Sequence, residues 1–197
     1  MKCLYLFDKV DSVITDFDNQ LSSVSQFRCD RANTYKFDDD KRRSLAATIL
    51  LDRLLKNYSL NEKDMLYKTN SHGKPIFSNS ELQFSLSHSG EYVLAALDYD
   101  EIGCDIQKTG KADFNIAKRF FTPNECDYIK KDCDFFRVWT LKESFVKALG
   151  CGLSIPLNSF EIKNINDNPY VIYNDNKYIF IEDGIEGYMI SICKKAR

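Results

Sequence analysis

Two long amphipathic helices, one in each half of the chain, set the main constraint on the fold. In the first, over 41–58, Ala47, Leu50, Leu51, Leu54 and Tyr58 recur on one face. Asp38, Asp39 and Asp40 precede it, where acidic groups suit the positive end of a helix dipole. In the second, over 135–149, Val138, Leu141, Phe145 and Leu149 form the apolar stripe, and Gly150 is placed to stop it. A helix with one apolar face must bury it against another element. The partners on offer are short strands: an opening strand at 2–7, an alternation of Leu82, Phe84 and Leu86, and apolar runs at 92–97 and 102–106. More β-like runs follow at 160–162, 170–173, 178–181 and 188–193. Strands and helices mixed within each half imply an α+β fold. A faint echo links 90–97 (Gly-Glu-Tyr-Val-Leu-Ala-Ala-Leu) with 186–193 (Glu-Gly-Tyr-Met-Ile-Ser-Ile-Cys). It hints at two related halves meeting near residue 100.

Smaller elements fill the gaps. Asp113 opens a short helix through Phe121, and Thr122-Pro123-Asn124-Glu125 reads as a capping box with proline at the first helical position. Residues 68–74, with Asn70, Ser71 and Gly73, read as a loop. A chain of 197 residues makes one domain or two small ones packed together. Its net charge of −2 provides no basic field for nucleic acid or a membrane surface. The apolar run at the start ends at Asp8, too short for a signal peptide or a membrane span. Seven cysteines with no Cys-x-x-Cys pair read as reduced thiols in a cytoplasm. Two histidines, His72 and His88, argue against a multi-histidine metal site.

Several residues carry chemistry, each with a plain alternative. Asp105 is a carboxylate in an otherwise apolar strand, 102–107. It either faces outward or needs a partner or metal. On the second helix Trp139, Glu143 and Lys147 are spaced by four, with Lys142 at the border of the apolar stripe. This is either a solvated flank with a Glu-to-Lys pair or a carboxylate between lysines, suited to a metal and phosphates. Ser85-Leu86-Ser87-His88-Ser89-Gly90 closes a strand with hydroxyls and an imidazole that an anion could use. Lys74 sits on a turn before Pro75, and Arg28, Arg31, Lys36, Lys41, Arg42 and Arg43 form a basic stretch that a solvated surface would equally explain.

Five elements stand in order: Gly-Lys-Pro (73–75), Phe-Ser-Leu-Ser-His-Ser-Gly (84–90), Ile-Gly-Cys-Asp-Ile-Gln (102–107), Arg-Phe-Phe-Thr (119–122) and Trp-Thr-Leu-Lys-Glu-Ser-Phe-Val-Lys-Ala-Leu-Gly (139–150). In this order and spacing the chain closely resembles the 4′-phosphopantetheinyl transferases of the Sfp type, over nearly its whole length. The resemblance implies two similar α+β lobes, 1–99 and 100–197, related by a pseudo-two-fold, with coenzyme A in the cleft between them. It implies that Arg28, Arg31 and Ser44 meet the 3′-phosphate and that Lys74 lies beside the adenine. Ser87 and His88 would contact phosphates, and Lys142 and Lys147 would lie near the pyrophosphate. Asp105 and Glu143 match magnesium ligands, and Glu143 is the candidate base. Where many relatives carry a further carboxylate, this chain has Gln107, whose amide oxygen can ligate magnesium or hold a bound water but adds no charge.

The implied reaction transfers the 4′-phosphopantetheine arm of coenzyme A to a serine of an apo acyl or peptidyl carrier protein. It releases 3′,5′-adenosine bisphosphate, with magnesium as cofactor and Lys147 stabilising the growing charge. A monomeric enzyme is expected. Phe120 and Phe121 mark the expected carrier-docking surface, since adjacent residues on a helix point about 100° apart and one ring can stay exposed; burial of both is the alternative. The competing function is a non-catalytic coenzyme A- or carrier-binding relative that has lost turnover. Nucleotide hydrolysis and dinucleotide chemistry are disfavoured, because neither glycine-rich phosphate loop is present.

Overall fold

A computed structural model describes residues 3–197. The predicted opening strand runs from Leu4 to Lys9 (β1), its Lys2 lying outside the described residues. Short helices Val10–Val13 (α1), Phe17–Ser22 (α2) and Gln26–Asn33 (α3) lead into the first long helix, Asp38–Leu55 (α4). A hairpin, Tyr67–Thr69 (β2) and Pro75–Phe77 (β3), precedes strands Gln83–Ser89 (β4) and Tyr92–Asp98 (β5). The second half runs Ile102–Lys108 (β6), Phe114–Phe120 (α5), Pro123–Tyr128 (α6), Asp132–Leu149 (α7), Tyr170–Tyr173 (β7), Asn176–Ile185 (β8) and Tyr188–Lys195 (β9). The α+β expectation holds.

The main sheets are antiparallel, ordered β1-β5-β4 and β6-β9-β8-β7. The two echoing segments form β5 and β9, and each lies between neighbours in its own sheet. Their tyrosines meet: the Tyr92 and Tyr188 rings lie 4.8 Å apart, edge to face.

Strand alternation explains the apolar runs. Val93, Ala95 and Leu97 of β5 pack under α4 with Leu50, Leu51 and Leu54. Leu94 and Ala96, on the opposite face, meet Ile102, Cys104 and Ile106 of β6 and Ile190 and Ile192 of β9. A third cluster joins Val138, Leu141 and Phe145 of α7 to Phe160, Val171 and Tyr178. With both faces covered, β5 reads as continuously apolar rather than alternating. The even residues of β6 fill the core between the sheets, so Gly103 and Asp105 face the other way.

Gly103 permits a close backbone crossing. A Cβ there would lie 2.0 Å from the carbonyl oxygen of Ser144 and 2.2 Å from the amide nitrogen of Ala148 on α7. Edge strands β4 and β6 meet through hydroxyls. Ser85, Ser87 and Ser89 accept the N–H groups of Cys104, Ile106 and Lys108 at 3.0, 3.3 and 3.0 Å. These bonds satisfy alternate amides along the free edge of the second sheet.

Three sequence expectations change. Residues 160–162 form no strand, although Phe160 and Ile162 are buried: they plug the core from a loop whose Ile162 N–H donates to Glu125 Oε1 at 2.9 Å. The 68–74 loop is the tip of the β2–β3 hairpin. The acidic run at 38–40 forms the first turn of α4 rather than preceding it. Among the described residues no helix is long and apolar enough to cross a membrane.

Candidate active site

A cavity of about 440 Å³ opens where the two sheets meet. Arg28, Arg31, Ser44, Lys74, Ser87, His88, Asp105 and Lys147 line it. These eight predicted residues come from both halves of the chain.

The basic end is built by α3 and α4. Arg28 is buried; its Nε donates to Thr48 Oγ1 at 3.0 Å, and its guanidinium lies 5.8 and 5.9 Å from the Tyr67 and Phe84 ring centres. Burial lowers its pKa, which marks a cation held at a cost in solvation. Arg31, one turn on, is exposed. Ser44 is buried and lines the same end.

The other end is a carboxylate–lysine cluster. Asp105 is buried, and its Oδ1 accepts from Lys147 Nζ at 2.6 Å and from Ser87 Oγ at 2.8 Å. Among the described residues its Oδ2 is buried without a hydrogen-bond partner. A bare carboxylate oxygen is expensive to bury and is a hard donor of the kind magnesium prefers. Burial is the largest single influence on the Lys147 ammonium and lowers its pKa, but the charges of Asp105, Cys104 and Glu143 and the hydrogen bond to Asp105 together hold it above its usual value. Glu143 is half-buried on α7, one turn before Lys147. Burial first, and then the charge of Asp105, push its carboxyl above the usual carboxylate range, with Lys147 partly offsetting them. Glu143 and Gln107 are not among the residues that line the cavity, though a cation bound at Asp105 would relieve the repulsion that raises the Glu143 carboxyl. Gln107 lies two residues along β6 from Asp105, and its amide nitrogen donates to the carbonyl of Lys108 at 3.5 Å. Among the described residues no three or more His, Cys, Asp or Glu side chains converge as a metal cluster, consistent with an amide at 107.

Other predicted residues have different surroundings from those expected. Lys142 does not reach the cavity. It is fully buried, paired with Glu125 at 2.8 Å, and donates to the carbonyls of Leu157 and Phe160 at 2.7 and 3.0 Å. Five residues separate it from Lys147, about 140° around the helix, so the two lysines leave opposite sides. Lys74 lines the cavity, but its ammonium donates to the carbonyls of Lys147 and Ile102 at 2.7 and 3.0 Å. Burial pushes its pKa down to about 8. Beside it Asn70 donates to the carbonyl of Gly150 at 2.8 Å, so the hairpin tip caps the end of α7. His88 is exposed at the cavity, and desolvation followed by the charges of Lys147 and Arg43 lowers its pKa.

Phe121 is buried against Phe135 and Trp139, which removes it from any docking surface, while Phe120 is 38% exposed under the Arg119 guanidinium. Trp139 thus packs into this aromatic cluster. The sequence reading missed Tyr35, Phe84 and Gly152 as cavity wall. The spacing of four between Arg31 and Tyr35, like that of a helical face, was the one available signal.

Both halves of the chain match known proteins. The family model described as the 4′-phosphopantetheinyl transferase superfamily matches residues 101–193, and one described as 4′-phosphopantetheinyl transferase, N-terminal, matches residues 11–99. The chain is 31% identical to 4′-phosphopantetheinyl transferase Sfp of Bacillus subtilis (strain 168), over 93% of this chain and 88% of that protein. It is 34% identical to the transferase gsp of Aneurinibacillus migulanus, over 95% and 84%. Identity to the transferase ffp of Bacillus subtilis is 31%, over 89% and 84%.

Proposed function

This chain belongs to the 4′-phosphopantetheinyl transferase superfamily, and we propose that it moves the 4′-phosphopantetheine arm of coenzyme A to a serine of an apo acyl or peptidyl carrier protein, with magnesium required. The observation that carries this reading is the cavity itself: basic at one end, with Asp105 at the other offering one unpartnered carboxylate oxygen. The family models fall on either side of residue 100, which supports two lobes, 1–99 and 100–197, with the cleft between them. The corresponding strands β5 and β9, each flanked on both sides within its own sheet, support a pseudo-two-fold.

In this reading Arg28, Arg31 and Ser44 hold the 3′-phosphate of coenzyme A, and His88 meets the diphosphate. Lys74 contributes wall and rigidity, since its ammonium is engaged with helix and strand carbonyls. Asp105 Oδ2, Glu143 and the amide oxygen of Gln107 would hold magnesium, which would supply Lewis-acid stabilisation of the diphosphate charge. The carrier serine oxygen attacks the β-phosphorus, the bond to the 5′-phosphate oxygen breaks, and 3′,5′-adenosine bisphosphate leaves. Lys147 Nζ neutralises charge that grows on the phosphates. Glu143 is the candidate base for the serine proton, directly or through a water, although a carboxylate that binds the cation is the weaker base for it. Phe120 with Arg119 is the carrier-facing surface. Cys29, Cys126, Cys133 and Cys151 are unbridged thiols, in keeping with a cytoplasmic enzyme, which we expect to act as a monomer.

The test is intact-mass analysis of a panel of apo-carriers incubated with the protein, coenzyme A and magnesium. A phosphopantetheine adduct on at least one carrier, abolished by a chelator, is expected. Coenzyme A binding with no adduct on any acyl or peptidyl carrier would favour the non-catalytic relative.

A further inference from the structure

Ser87 lies at the centre of the seam between the two sheets. Its hydroxyl has one hydrogen and two lone pairs. The hydrogen goes to Asp105 Oδ1 at 2.8 Å. The lone pairs take the Ile106 N–H at 3.3 Å and the Lys147 ammonium at 3.0 Å. Every hydrogen-bonding position is therefore used, and the residue is buried. A phosphate oxygen could reach it only by taking the hydrogen from Asp105.

We infer that Ser87 is a positioning residue for Asp105 and Lys147 rather than a phosphate ligand. It holds Oδ1 against the seam, so that Oδ2 is the oxygen left free to meet a cation. The same hydroxyl orients the lysine whose charge the transfer reaction uses. The neighbouring ladder residue makes a control. Ser89 accepts the Lys108 N–H at 3.0 Å in the same way, and among the described residues no hydrogen bond joins it to the carboxylate–lysine cluster. If the seam alone mattered, the two serines would be equivalent.

This inference rests on the proposed transferase reading, and its test separates the two. Without a carrier there is no turnover, so magnesium can be titrated calorimetrically into the protein saturated with coenzyme A. Ser87→Ala is expected to weaken magnesium binding about 10–100-fold, the usual effect of removing a group that orients a metal ligand. Its affinity for coenzyme A without magnesium should stay within about twofold of wild type, where removing a phosphate contact would weaken it further. Ser89→Ala should change neither affinity. Ser87→Cys keeps the volume but offers only weak hydrogen bonds, and carries the same expectation should the alanine variant not fold. The inference is overturned if Ser87→Ala weakens metal-free coenzyme A binding and spares magnesium, or if Ser89→Ala matches Ser87→Ala. A wild-type protein that binds both and modifies no carrier would defeat the transferase reading instead.

Discussion

Helix α7 supplies the lysines of two lysine–carboxylate pairs, whose acids stand on α6 and β6, alike in chemistry and opposite in use. Glu125 and Lys142 form a sealed pair. Glu125 Oε2 also accepts the Thr122 N–H, Oε1 accepts the Ile162 N–H, and Lys142 spends its other hydrogens on two carbonyls. Asp105 and Lys147 form an open pair. Among the described residues one carboxylate oxygen has no hydrogen-bond partner, and the lysine side chain is 31% exposed at the cavity. A satisfied buried pair fixes packing; an incompletely satisfied one beside a cavity is poised for a ligand. The sealed pair ties α6 and the 157–162 loop to α7, while the open pair ties the cavity-lining side of α7 to the seam between the sheets.

The comparison breaks most readily at the sealed pair. Lys142→Ala or Glu125→Ala leaves an uncompensated buried charge and should cost about 3–5 kcal/mol, read by urea unfolding. The double change Lys142→Met with Glu125→Leu should recover most of that loss. Little loss in either single variant would mean the pair is not sealed. Adjacent phenylalanines repeat the contrast. Phe121→Ala should cost about 3–5 kcal/mol by emptying an aromatic cluster. Phe120→Ala should leave the melting temperature within a degree or two, as surface changes do, and raise KM for the carrier alone.

A smaller effect concerns Lys74, which spans the two halves. Its folded pKa, about 8, lies below the ordinary lysine value of 10.5. Between these the unfolded chain binds more protons than the folded one, so stability should rise with pH. The rise should begin near pH 8 and be absent from Lys74→Met; parallel pH profiles for the two proteins would contradict it. The smallest effect is at Gln107. A third carboxylate in Gln107→Glu should tighten magnesium binding to the free protein severalfold, with repulsion offsetting part of the gain. Unchanged binding in calorimetric titration would place residue 107 outside the cation's reach.

Much of this was legible in the sequence because it is local. The apolar stripes of α4 and α7, the Thr122 capping box and Gly150 as a stop all follow from spacing within one element. Much of the cavity's lining was legible through the family resemblance, which implied one ligand for Lys74, His88, Asp105 and Lys147 from the ordered motifs and for Arg28 from the basic stretch. The roles of Lys142 and Ser87 were not. Helical phase puts Lys142 at a stripe border, but only the return of the 157–162 loop, held by Glu125, shows which way it turns. Ser87 reads as a free hydroxyl until β4 meets β6, a contact between sheet edges that no local pattern encodes. Phe160 and Ile162 alternate like a strand, yet their neighbours supply side-chain rather than strand partners. Helices α1 to α3 are short and polar, and periodicity is weakest there.

The most direct test of the account compares rates of carrier modification at saturating coenzyme A and magnesium, followed by intact mass, for Asp105→Asn, Lys147→Met and wild type. Loss of one preorganised charge at the reacting centre is expected to slow transfer at least 10²–10³-fold, roughly 3–4 kcal/mol of barrier, in variants that remain folded. Near-normal rates in both would contradict the claim that the open pair is where the chemistry happens.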